Sequence, residues 1–358
     1  MRRASSKLLA GAAVVMLATA ACGGGDAPGG GGGNGGDGAE GVRVGVALDV
    51  GGLGDKSFND AANAGLQRAI DEGLIDEANT QFLEANQTGS NRDANVVNLA
   101  DQGFELIVGV GFAFSEGIAE IAGDYPDQNF AIVDGFATTI ATDATNIGDL
   151  AFKEHEGSYL VGIAAAMQTE TDTIGFLGGQ EGTGLIEKFQ AGYEAGARSV
   201  NPDIEILVEY IGDSTQAFVD PTRGEALSTS MYDSGADVVY HAAGQSGLGL
   251  FQAAADADMW AIGVDSDQYE ALADNPEQQE HILTSMLKRV DTAVYNAIAQ
   301  AVEGEFTPGF QVFGIAEEGI DYADSNPALS DEIKAAMDEA KEGIVSGEIT
   351  VPEEPEAA

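Results

Sequence analysis

The sequence predicts an α/β protein of two tandem, doubly wound lobes, and three observations carry that reading. The chain has 358 residues, more than the roughly 250–300 that one hydrophobic core organises before a chain splits. Short apolar runs alternate with amphipathic stretches, the rhythm of a parallel sheet flanked by helices. The same rhythm then recurs at a nearly constant offset: Phe58 to Phe189 is 131 residues, Gly103 to Gly235 is 132 and Phe130 to Trp260 is 130. Solenoid repeats have far shorter periods, so the repeat is two similar lobes in tandem.

In the first lobe, "RVGVALDV", "TQFLEAN", "ELIVGVG" and "FAIVDG" read as strands. Amphipathic helices are predicted between them, over residues 59–72, 90–102 and 115–124. In the second lobe, "IGFLGGQEG", "MYDSGADVVYHAAG" and "WAIGVD" answer the first, third and fourth of these segments. The predicted boundaries are 42–147 plus 266–308 for one lobe and 148–265 plus 309–347 for the other. Residues 348–358 are expected to be an acidic tail. Ligands bind in crevices at the carboxyl ends of parallel strands, so function is expected between the lobes, at hinge crossings of the chain.

The segment before residue 42 has a separate role. Arg2, Arg3 and Lys7 precede an apolar stretch over residues 8–21, then "TAAC". That order matches a secretory signal and is too short to span a bilayer comfortably. The single cysteine, Cys22, closes it and resembles a lipobox cysteine that becomes lipidated, although Thr19 stands where leucine is usual. The alternative is a secreted chain with an idle thiol. The glycine-rich tract 22–41 buries too little apolar surface to fold and is expected to be a tether. One cysteine leaves no internal disulfide and no cysteine-based metal site.

Fifteen basic residues face sixty acidic ones, a net charge of −45. Such a chain repels nucleic acid and anionic lipid. Self-repulsion on this scale is relieved by salt, so a salt-loving source is expected.

Other chemistries find little support. The glycine-rich strand ends give neither a dinucleotide fingerprint nor a phosphate loop. His155, His241 and His281 lack metal-ligand spacing and read as core or surface residues. No serine sits in a nucleophile elbow, and "DSDQYE" lacks the spacing of a calcium loop. Trp260 reads as core and Asp267 as a solvated carboxylate. An α/β enzyme acting on nucleosides or sugars is the alternative function, but no convincing acid–base pair or cofactor loop is present. No cofactor is expected. Phe58, in the polar loop "GGLGDKSFND", is either a ligand wall or a staple over its own helix. Phe189 reads as the staple of the second lobe.

An ordered set of segments resembles the basic membrane protein family of nucleoside-binding lipoproteins, PnrA-like substrate-binding components of ABC importers. "LDVGGLGDKSFNDAANAGL", "LIVGVGF", "AIVD", "FLGGQEG", "KFQAGYEAGAR", "FVDPTRG", "YHAAGQSGLG", "AIGVDSDQ" and "TSMLKR" carry the resemblance over nearly all of residues 42–315. It implies the type I periplasmic-binding-protein fold and a purine nucleoside ligand. It implies no enzymatic activity. By position it implies that Phe58 and Phe218 stack on the two faces of the base, and that Asp49 and Asn59 exchange hydrogen bonds with base or sugar. Asp134 and Asp265 would accept from ribose hydroxyls, Gly244 would let backbone approach the ligand, and Lys288 would donate at the hinge. The implied partners are the ligand, an ABC permease and, through Cys22, the outer face of the cell membrane, with the protein a monomer. A ligand sensor would share this pocket and differ only in its partner.

Two expectations follow from sequence alone. Replacing Cys22 by Ser should release the protein from the membrane fraction of cells; a variant that stays with the membrane refutes lipid anchoring. The Debye length falls from about 10 Å at 0.1 M salt to about 3 Å at 1 M, so the melting temperature should rise clearly over that range. A flat profile removes the halophile inference.

Overall fold

The computed structural model describes residues 41–356. The signal, lipidation and most of the tether expectations therefore lie outside the described residues. Twelve strands form two six-stranded sheets. In chain order they are β1 Val44–Leu48, β2 Thr80–Glu84, β3 Leu106–Val110, β4 Asn129–Val133, β5 Ile147–Phe152, β6 Thr173–Gln180, β7 Glu205–Gly212, β8 Val238–Ala242, β9 Trp260–Asp265, β10 Ile282–Lys288, β11 Gly309–Phe313 and β12 Ile320–Tyr322.

The first sheet runs β11-β5-β4-β3-β1-β2 and the second β12-β10-β9-β8-β6-β7. Every pairing is parallel except β12 against β10. Central strands such as "VGVAL" and "LIVGV" are buried along their whole length, as strands covered by helices on both faces must be. The three helices expected in the first lobe form as Phe58–Asp71, Arg92–Asp101 and Ser115–Ile121.

The chain passes between sheets three times, and this corrects the expected boundaries. β5 and β11 belong to the first sheet, so residues 148–152 and 309–313 leave the second lobe. β10 pairs with β9, from Ile282↔Ala261 to Leu287↔Asp265, so 282–288 leave the first. The sequence of β10 is a buried run like any other, and nothing in it announces which sheet it completes. The crossings fall at Lys153, at Arg289 and between β11 and β12. They brace one another: the Lys153 amide donates to Phe313, that of Arg289 to Gly319, and that of Ile315 to the Glu156 carboxylate at 2.8 Å. The expected acidic tail is docked as well. Val351 is buried and Glu353 pairs with Lys188 at 3.2 Å.

The repeat appears in the packing of helices. Gly65 on Phe58–Asp71 and Gly196 on the helix Ile186–Val200 are 131 residues apart. Each lies where a neighbouring helix presses its backbone close: a Cβ on Gly65 would collide with the Asp291 carbonyl, and one on Gly196 with that of Tyr159. Gly196→Ala should therefore destabilise the protein by about 1–3 kcal/mol, the usual cost of overpacking, read by urea unfolding. Gly123 has open space where its Cβ would lie, and Gly123→Ala serves as the neutral control. Equal midpoints for the two variants would refute the close-packing argument.

Candidate functional site

A cavity of about 80 Å³ lies between the lobes, lined by residues at the carboxyl ends of strands from both sheets. Asp49 follows β1, Asp134 follows β4, Asp265 ends β9 and Lys288 ends β10. All eight positions expected to meet a ligand line this one cavity: Asp49, Phe58, Asn59, Asp134, Phe218, Gly244, Asp265 and Lys288.

The loop after β1 is built around Asp55, whose buried carboxylate accepts from the backbone amides of Ser57 (3.0 Å), Asn59 (2.8 Å) and Asp60 (3.1 Å). It thus satisfies amides that the start of a helix leaves free. Phe58 is the first residue of that helix. Its ring lines the cavity and also packs against the hydrophobic core, so wall and staple are one role. Phe189 lines the cavity too, which corrects its reading as a staple alone. Phe112 adds a further ring, meeting Phe218 of the other lobe edge-on with centroids 6.4 Å apart. Neither Phe112 nor Gln245, also in the wall, carries a signal in one sequence that separates it from other loop residues.

Asn59 differs from its expected part. Its side-chain oxygen accepts from the Asp49 amide at 3.1 Å, and its NH₂ group donates to Asp55 at 3.0 Å and to the Val50 carbonyl at 3.4 Å. Both amide hydrogens are engaged in holding the loop. Asp49 is paired with Arg92 at 2.6 Å. Burial raises the pKa of its carboxyl, with Arg92 pulling the other way.

Lys288 is buried in the cavity wall. Its ammonium lies 2.6 Å from Asp134 and 3.1 Å from Glu154, with all three side chains at most 5 % exposed. Three rings surround it, Phe152 at 5.1 Å, Phe58 at 5.3 Å and Phe189 at 5.5 Å from their centroids. Burial works against the charge, yet the carboxylates of Asp134, Glu154 and Asp265 outweigh it and raise the lysine pKa. Burial pushes Asp265 up to about 6 even though Lys288 and a hydrogen bond from Ser57 favour its ionised form. Asp134 and Asp265, 131 residues apart, both have positive φ, 58° and 64°. L-residues rarely hold that backbone, and such strain gathers at functional sites.

The lobes also touch directly. The Ser57 hydroxyl donates to Asp265, Gln268 donates to the Lys56 carbonyl at 3.0 Å, and Gln216 donates to the Gln87 carbonyl. His241 holds Gln268 at 2.9 Å, and burial lowers its pKa to about 4, so it is a neutral core histidine, as expected. Trp260 is half-buried against the core, and the Asp267 carboxylate caps a helical turn by accepting from the Glu270 amide. Among the described residues no cluster of histidine, cysteine and acidic side chains suits a metal ion.

Comparison with known proteins agrees with this geometry. The family described as "ABC transporter substrate-binding protein PnrA-like" matches residues 42–355. A CD4+ T-cell-stimulating antigen of Listeria monocytogenes is 35 % identical, the match covering 87 % of this chain and 88 % of that protein. The ABC transporter nucleoside-binding protein BmpA of Lactococcus lactis subsp. cremoris is 33 % identical, covering 87 % and 89 %. Among solved structures, a solute-binding protein of an ABC transporter system from Aeropyrum pernix superposes with a TM-score of 0.74 at 28 % identity, covering 87 % of this chain and 94 % of that one. The fold is therefore the type I periplasmic-binding-protein fold, and the chain belongs to the PnrA-like family of ABC transporter substrate-binding proteins.

Proposed function

We propose that this protein captures a purine nucleoside between its lobes and presents it to an ABC permease, held at the outer face of the membrane by a lipid on Cys22. The observation that carries the reading is the division of one cavity into two kinds of wall. Phe58 of the first lobe and Phe218 of the second offer apolar faces, while Asp134, Asp265 and Lys288 offer acceptors and a donor. A nucleoside has the same division, a flat base and a ribose rich in hydroxyls. The nucleoside-binding relative from Lactococcus supports the same ligand class.

Capture works by closure. Stacking on an aromatic ring contributes about 1–3 kcal/mol per base, and rings on opposite lobes both engage only when the cleft shuts. The Asp134 and Asp265 carboxylates accept from hydroxyls, and the Lys288 ammonium donates in return. A ligand that binds the closed form better than the open one shifts the equilibrium toward it, and the closed form is what a permease recognises. Such a cycle needs no covalent chemistry.

Calorimetry of the soluble chain in high salt tests this. Inosine, guanosine or adenosine should bind, and free ribose and amino acids should not. Phe218→Ala should weaken every purine nucleoside by about 1–3 kcal/mol, because stacking tolerates base identity. Asp265→Ala should cost more for a riboside than for its free base, since it removes a hydroxyl acceptor and leaves a polar group unpaired. A well-folded sample that binds none of the three nucleosides overturns the assignment.

A further inference from the structure

Glu154 is a carboxyl that ligand binding does not use. It opens the helix Glu154–Gln168 directly after the crossing at Lys153, is 1 % exposed, and is absent from the cavity wall. It lies behind Lys288, the last residue of β10 before the crossing at Arg289. Two of the three passages between lobes thus meet at one ion pair 3.1 Å long. Beyond the Lys288 ammonium and Glu154's own backbone amide, no donor among the described residues reaches its carboxylate.

The charge count around that pair does not balance. One ammonium faces three carboxylates, those of Asp134, Glu154 and Asp265, in a cleft from which closure removes water. A buried charge without its own partner costs several kcal/mol, and a carboxyl escapes that cost by taking a proton. Asp134 holds the ammonium at 2.6 Å and Asp265 accepts from Ser57. Glu154 has the weaker claim on Lys288 and, besides its own backbone amide, no other donor.

We propose that Glu154 is the proton acceptor through which closure of the lobes, and with it capture of the ligand, is coupled to pH. The coupling to capture rests on the nucleoside reading above, whereas the coupling to closure does not. The groups facing Glu154 are Lys288 from β10, Asp134 after β4, Lys188 from the helix Ile186–Val200 and Tyr240 from β8. Its chain neighbour Lys153 turns to Glu156 at 3.3 Å and Glu317 at 3.8 Å, and burial keeps His155 biased toward its neutral form. Burial pushes Glu154 up to about 7 against the pull of Lys288, with Asp134 adding to the rise. Opening admits water along Lys288, Asp134 and Asp265 and returns the carboxyl toward its ordinary range. Closing therefore binds a proton, and raising the pH through neutrality favours the open form.

The full chain is compared with Glu154→Gln and Glu154→Asp, each checked for folding by circular dichroism. X-ray scattering without ligand, from about pH 5.5 to about pH 8.5, should show the radius of gyration of the wild type growing as pH rises. Inosine titrated in two buffers of different ionisation heat should show proton uptake. Its Kd should rise several-fold over the range, bounded by tenfold per pH unit for one proton. Above about pH 7, where Asp265 with its value near 6 is already ionised, Glu154→Gln should stay compact, take up no proton and hold a Kd constant within about twofold, and Glu154→Asp should restore the pH response there. A wild type indifferent to pH, or a Glu154→Gln variant with the wild-type response, overturns the proposal. If inosine binds neither protein while the change in radius is present in the wild type and lost in Glu154→Gln, the nucleoside reading fails and the coupling to closure stands.

Discussion

The buried ammonium of Lys288 is the interaction on which the arrangement of the two lobes depends. Its Asp134 partner comes from the first sheet, its own strand from the second, and its Glu154 partner from the crossing between them. An ion pair that deep is a weak source of net stability, because desolvation offsets most of the attraction. What it supplies here is place. Asp134 and Glu154 can approach the ammonium together only when both lobes and the crossing are in register, so the pair fixes the cleft geometry that the aromatic walls then use.

The walls themselves come from repetition. Phe58 opens one helix and Phe189 lies in the first turn of its counterpart in the other lobe, and both rings flank the same ammonium at 5.3 and 5.5 Å. Asp134 and Asp265 end equivalent strands and share the same uncommon backbone. Two copies of one strand–loop–helix unit, brought face to face, thus make a site with an apolar pair and an acidic pair. Phe218 and Lys288, which also line the cavity, break the equivalence.

Much of this was legible in the sequence because it depends on local patterning. The helices Phe58–Asp71 and Arg92–Asp101 follow from apolar spacing, and the tandem lobes from an offset that three landmarks share. All eight cavity positions came from an ordered resemblance rather than from spacing, and the geometry gathers them in one place. What patterning cannot convey is how polar groups divide their bonds. Asn59 looks like a ligand contact until its amide is seen engaged by Asp55 and Val50. Glu154 looks like a helix-opening acid until Lys288 is found beneath it. The lobe boundaries failed for a related reason: β10 and β11 are ordinary strands, and only long-range pairing tells which sheet each completes.

The left-handed backbone of Asp134 and Asp265 also bears on how this site can change over generations. Asparagine and glycine tolerate that conformation, and larger or β-branched residues resist it. Asparagine keeps an acceptor but removes a negative charge beside Lys288, and glycine removes the side chain. Single-step drift at either position therefore leads toward a less acidic pocket, whereas Phe58 and Phe218 stand in a helix and a helical turn and carry no such backbone constraint. Selection for a new ligand would find its raw material in the aromatic residues of the cleft first.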